Sequence, residues 1–219
     1  KMGMEFHLEC PVQSVETSPV GAKVVCKDKT GKTVAFEAEK VLVAIGRRAN
    51  TASLDLEAGE LDNDRGRILV NEKMETSVPG VYAIGDIVPG PALAHVASAE
   101  ALCCVNAICG LHSEPVDYTT IPSCVFTSPE VASVGMTERQ VKEMGIDYKV
   151  GRFPFTASGK ATAAGDRDGF VKLLFDDDGR LLGANMVGAN VTEMLAEPTL
   201  ARALGAPLEK RTLCKARAT

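Results

Sequence analysis

Tryptophan is absent from this 219-residue chain, and 3 Tyr and 7 Phe are the only large aromatics. Any core must therefore be mostly aliphatic. Histidine is as scarce, at 3, which leaves few side chains for acid–base work near neutral pH. No apolar run approaches the roughly 20 residues that cross a bilayer as a helix. No basic stripe is long enough to track a phosphate backbone, and the net charge is −5. Nucleic acid and membrane are therefore not expected partners. No apolar segment of the signal-peptide kind follows Lys1-Met2-Gly3-Met4, so a cytoplasmic setting is expected. The 7 Cys are odd in number and lack the spacing of a secreted disulfide framework, so reduced thiols are expected.

What is present centres on Thr76–Glu100, TSVPGVYAIGDIVPGPALAHVASAE. Val78-Pro79-Gly80 is turn chemistry, and Val81–Ile84 is a short apolar run suited to a buried strand. Gly85-Asp86 then places a carboxylate beyond the carboxyl end of that strand, where open α/β sheets bind ligands. Pro91 suits the first position of an Ala-rich helix predicted to run to Ile108 and stop at Gly110. The unpaired N–H groups and positive dipole end of that helix face back toward the strand. One segment thus offers an acceptor for hydroxyls and donors for an anion or carbonyl.

Upstream, Lys1–Met4 reads as a helix end. Glu5–Glu9, Val12–Thr17, Ala22–Lys27 and Thr33–Ala38 read as strands, with Asp28–Lys32 as a hairpin loop. The continuous apolar run Lys40–Gly46 reads as a buried strand. Asn50–Asn71 is a polar connector with a turn cluster at Asp62–Gly66, which lacks the closing Glu of a calcium loop. Downstream, Ile121–Phe126, Val131–Met136 and Asp147–Phe155 read as strands. Thr137–Gln140 is a capping box. Phe170–Phe175 and Leu181–Val187 flank a hairpin loop at Asp176–Arg180, a stronger reading for its acids than a metal site. Thr192–Leu204 reads as one helix kinked at Pro198.

The 25-residue central segment resembles the second flavin-binding motif of the two-domain disulfide reductases, and Leu93-Ala94-His95 resembles the dihydrolipoamide dehydrogenase branch. VLVAIGRRAN resembles the point where the nicotinamide-binding domain returns to the flavin domain. TSPEVASVGMTE, GRFPF and GFVKLLFDDDGRLLGANMVG resemble the interface domain. The resemblance implies α/β plus α+β architecture: the end of an NAD-binding domain (1–46), the C-terminal part of an FAD-binding domain (47–117), an incomplete α+β interface or dimerisation domain (118–206) and a divergent tail (207–219). It implies that Gly85, Asp86, Ala92, Leu93, Ala94 and His95 contact FAD, with Asp86 on the ribityl chain, and that Gly46 and Val12 contact NAD. It implies a homodimeric parent that oxidises dihydrolipoamide on lipoyl domains of 2-oxo acid dehydrogenase or glycine cleavage complexes.

The chain departs from the family in its chemistry. No His follows His112, so the interface-domain base is missing, and no catalytic residue is assigned. Cys104 and Cys109 have the family's redox spacing but fall in the predicted helix. There they would be separated by about 7.5 Å of rise, beyond the usual Cα separation of a disulfide, about 4.4–6.8 Å. They are therefore expected, with Cys103, to serve helix packing. The chain alone is expected to be inactive. A non-catalytic dimerisation module, or part of a sibling reductase acting on mercuric ion or another disulfide, remains open.

Overall fold

The computed structural model describes residues 3–205 and 207. Two compact units divide after Arg48.

The first unit is a three-stranded antiparallel sheet in the order β1 (Val12–Ser18), β2 (Gly21–Lys27), β3 (Thr33–Ala38). Its hairpins form locally. Asp28 Oδ1 accepts from Thr30 N at 2.8 Å, Thr30 Oγ1 at 2.6 Å and Lys32 N at 2.9 Å. Those bonds, the Thr30 hydroxyl first, hold the Asp28 carboxyl below its ordinary range. Glu5–Glu9 is not a strand. Nor is Lys40–Gly46, whose Leu42 and Ile45 are 90% and 93% exposed. A strand buried on both faces needs hydrogen-bonding neighbours as well as apolar side chains. Among the described residues no strand pairs with this run. The predicted helix end at Lys1–Met4 lies partly outside the described residues.

The second unit begins with a tight hairpin of β4 (Asn63–Asp64) and β5 (Arg67–Ile68). Arg65 and Gly66 occupy its turn with φ of 51° and 83°, the left-handed pair that matches strand twist. Ile68, Ala83 and Val88 form a small core with Leu56, Leu61, Val70 and Ile87 packed on it. Val81–Ile84 contributes to this core through Ala83 but is not the expected strand. Its Tyr82 makes only an isolated bridge to Glu75, again for want of neighbouring strands. A 3-10 turn, Gly85–Ile87, and helix α1 (Ala94–Ile108) follow.

The remainder is a five-stranded antiparallel sheet in the order β6 (Ser123–Val125), β7 (Glu130–Gly135), β10 (Leu181–Gly188), β9 (Phe170–Phe175), β8 (Lys149–Pro154). Helices α2 (Glu138–Glu143), α3 (Gly159–Ala164), α4 (Val191–Met194) and α5 (Ala196–Ala203) complete it. The main core joins Ala132, Val134, Phe175, Ala184 and Met186 from the sheet with Phe155, Val191 and Leu195. Gly188 is required by close approach: a Cβ there would sit 2.5 Å from Phe155 Cε2. The Thr137–Gln140 capping box forms as expected. The predicted single helix over Thr192–Leu204 is two helices meeting at Leu195, which is 2% exposed. Pro198 is the third residue of α5, where its missing N–H costs no intrahelical bond. The 207–219 tail lies outside the described residues except for Pro207, which bridges Arg180.

Candidate functional site

Gly85, Asp86, Ala92, Leu93, Ala94 and His95 lie within one short loop-and-helix segment of the second unit. Gly85 has φ of 76°, a left-handed conformation that glycine adopts without a Cβ penalty. It lets the chain turn sharply, so that Val88 N closes on Gly85 O at 3.0 Å. Asp86 is the exposed middle residue of that turn.

Helix α1 starts at Ala94, three residues later than predicted, because Leu93 N bonds to Pro91 O at 2.9 Å in a tight turn. Ala92, inside that turn, and Leu93, with extended φ and ψ of −132° and 139°, are therefore a non-helical lead-in, while Ala94 and His95 open the first helical turn. Leu93 is the N-cap and offers no side-chain acceptor, and the first turn holds no acidic residue. Helices normally take Ser, Thr, Asp or Asn at that position to satisfy orphan N–H groups. A helix end with no side-chain cap and no local negative charge suits an electron-rich ligand edge.

His95 Nε2 lies 3.2 Å from Pro122 O. That contact ties the first turn of α1 to the approach to β6 and gives the imidazole a structural role. An open groove of about 450 Å³ runs beside it past Leu102, Asn106 and Ile121. Cys103 and Cys104 are buried in α1, whereas Cys109 is exposed at its C-cap. The expected packing role therefore holds for the first two and not for Cys109.

Val12 and Gly46 belong to the first unit. Val12 opens β1, opposite Cys26, and is 56% exposed. Gly46 has φ of 118°, and a Cβ there would meet nothing within 4 Å. Its glycine thus answers to backbone conformation rather than to crowding by the described residues.

Two residues of the site were not assigned from the sequence. Glu100 is 1% exposed. Its Oε2 accepts from Gly85 N at 2.7 Å and its Oε1 from Tyr118 Oη at 2.8 Å. Burial, and then the Glu100 hydrogen bond, push the Tyr118 phenol up to about 12. The Tyr118 ring also backs onto the loop: a Cβ at Gly90 would lie 3.2 Å from Tyr118 Cε1. The available sequence signal was that Glu100 is the sole Asp, Glu, Lys or Arg in α1.

Two family models match this chain. The pyridine nucleotide-disulphide oxidoreductase model covers residues 1–101, and the dimerisation-domain model of the same group covers residues 121–215. Dihydrolipoyl dehydrogenase from Bacillus subtilis is 46% identical over 82% of this chain and 38% of its own length. Mitochondrial dihydrolipoyl dehydrogenase 1 from Arabidopsis thaliana is 44% identical over 92% of this chain and 40% of its own length. The chain thus spans about two fifths of these relatives. Among solved structures, the HOCl-induced flavoprotein disulfide reductase RclA from Escherichia coli superposes with a TM-score of 0.80 at 26% identity, covering 90% of this chain and 45% of that one. LpdA from Mycobacterium tuberculosis shares the fold, with a TM-score of 0.80 at 24% identity over 91% of this chain and 43% of that one.

Proposed function

The chain belongs to the pyridine nucleotide-disulphide oxidoreductase family, and on that premise we propose that it is the carboxyl-terminal part of a dihydrolipoyl dehydrogenase. In the intact enzyme it would supply one strap of the FAD site, a contact to NAD and the subunit interface. The observation that carries this reading is the joining of the Gly85-Asp86 turn to the uncapped amino end of α1. A hydroxyl-binding carboxylate and a set of fixed N–H dipoles lie on one short segment, which suits a polyhydroxyl chain attached to an electron-rich ring.

In this reading Asp86 holds the ribityl chain, while residues 92–95 bring the α1 dipole to the pyrimidine edge. Fixed N–H dipoles stabilise negative charge there without reorganising. Gly46 and Val12 face NAD. Bound FAD would supply the two-electron relay between a dihydrolipoyl dithiol and NAD. Lipoyl domains of 2-oxo acid dehydrogenase or glycine cleavage complexes are the proposed partners, and a cytoplasmic setting is proposed from the free thiols. The parent is proposed to be a homodimer paired through residues 118–206, where Val125, Phe126, Val150, Phe153 and Leu200 are 43–80% exposed. Apolar surface of that kind marks interfaces.

None of the three His is assigned to proton transfer, and the only Cys-x-x-x-x-Cys pair in the sequence, Cys104 and Cys109, sits at the carboxyl end of α1. The chain by itself is therefore proposed to lack lipoamide chemistry. Titrating the chain into FAD and following flavin fluorescence tests the strap. The chain supplies one strap of the site, so the expected result is weak binding, which Asp86→Ala weakens further by about tenfold or more, since a hydrogen bond to a charged group contributes about 1.5–3 kcal/mol. Equal affinity of the two proteins overturns the assignment of Asp86.

A further inference from the structure

We propose that Glu100 is a positioning residue that locks the Gly85-Asp86 turn against α1 and so sets the spacing between the two flavin-facing parts of the site. The proposal rests on the flavin reading above for its function, but its geometry stands alone. A carboxylate 1% exposed to solvent is costly to bury unless its oxygens are satisfied, and each oxygen here has a donor. Oε2 takes the Gly85 amide at 2.7 Å, 15 residues back along the chain, and Oε1 takes the Tyr118 hydroxyl at 2.8 Å, 18 residues ahead.

These two bonds act at defined points. The Gly85 amide begins the 3-10 turn that carries Asp86. Glu100 lies six residues into the helix whose first turn is Ala94 and His95. The turn and the helix end are thus tied through one rigid element. Tyr118 secures the far end of the same loop, because its ring packs where Gly90 lacks a side chain. Both donors are neutral, so among the described residues the carboxylate is held by directed hydrogen bonds and not by a paired cation. Loss of the side chain strands the Gly85 amide and frees the turn. A glutamine retains an acceptor for that amide and offers its own N–H to the Tyr118 oxygen.

The test uses the full 219-residue chain as wild type, Glu100→Ala and Glu100→Gln. It reads amide hydrogen exchange residue by residue, Tyr118 ionisation by ultraviolet absorbance, and FAD affinity. In Glu100→Ala, exchange at Gly85 and Asp86 is expected to accelerate about tenfold or more relative to wild type, while Leu174 and Ala184 in the sheet core keep their protection. The phenol midpoint is expected to fall from about 12 toward the ordinary tyrosine value, and FAD affinity to drop about tenfold. Glu100→Gln is expected to restore Gly85 protection and FAD affinity. Unchanged Gly85 exchange in Glu100→Ala overturns the clamp. Faster exchange with unchanged FAD affinity overturns its role in positioning. A uniform rise over the whole unit, Leu174 and Ala184 included, reveals a general stability role and also overturns it. A wild-type chain that takes up no FAD overturns the flavin reading, while Gly85 exchange still decides the clamp.

Discussion

Replacing Arg202 with methionine should loosen the interface half more than any other single loss of a surface cation among the described residues. Arg202 lies on α5, and its guanidinium reaches three backbone carbonyls: Thr119 O from Nε at 2.9 Å, and Leu181 O and Leu182 O from the same Nη at 2.9 and 2.8 Å. It joins the end of α5 to the start of β10, the central strand, and to the 3-10 turn that precedes β6. Methionine keeps the aliphatic stem and removes all three bonds. Leu182 O keeps its bond from Met136 N at 3.0 Å, so the acceptors at risk are Thr119 O and Leu181 O, each costing about 1–3 kcal/mol if stranded away from water. Solvent reaches part of this cluster, so the whole change is set at about 3 kcal/mol. For a unit of this size 1 kcal/mol moves Tm by about 2–4 °C, giving a fall of about 6–12 °C. Calorimetry or circular dichroism melts would read it. Arg180→Met is the control, since Arg180 meets Asp178 only at 3.8 Å with both side chains more than half exposed. It should move Tm by less than about 2 °C. If Arg202→Met melts within a degree or so of wild type, the three carbonyl bonds do not hold this half together.

Gly188→Ala should destabilise the same unit by about 1–3 kcal/mol, because the added Cβ would fall 2.5 Å from Phe155 in a filled core; an unaltered melt would show that Phe155 can move aside. Glu138 meets Lys142, Lys172 and Tyr148, and those hydrogen bonds, Lys142 first, hold its carboxyl down to about 2. The folded value is depressed, so its stabilising effect is present above the ordinary carboxylate range and fades as pH falls toward 2. A carboxyl-carbon NMR titration with a midpoint near 4.5 would contradict that network. The chain with added FAD should show no NADH-dependent lipoamide reduction above a flavin blank, and measurable turnover would direct attention to Cys103, Cys104, Cys109 and Cys124. Sedimentation at tens of micromolar should show self-association through the interface half; a strictly monomeric profile would count against pairing by this piece.

Elements whose causes are local were legible in the sequence. The Asp176–Arg180 loop forms because Asp176 Oδ1 takes Arg180 N at 2.7 Å within five residues, and the α2 cap is written in Thr137 and Gln140 alone. Lys40–Gly46 and Val81–Ile84 were misread for a shared reason. Apolar composition reports a preference for burial, but a strand also needs partners, and the described residues offer none to the first and one isolated bridge to the second. Helix α3 was missed because its six residues, five of them small and the other Lys160, carry no apolar period; its cause is Ser158 capping Ala161 N and Gly165 turning left-handed at φ 73°. At the candidate site, Gly85, Asp86 and residues 92–95 were visible as a motif. The Glu100 contacts join positions 15 and 18 residues apart, and nothing in local sequence specifies such a meeting.

The most direct measurement is the sequence of the messenger RNA that encodes this chain, read on the side preceding Lys1. If the chain is the carboxyl-terminal part of a dihydrolipoyl dehydrogenase, the same frame continues upstream through a Gly-rich turn for FAD, a Cys-x-x-x-x-Cys pair and a second Gly-rich turn for NAD. A frame that continues through unrelated sequence with neither the cysteine pair nor the two turns contradicts it.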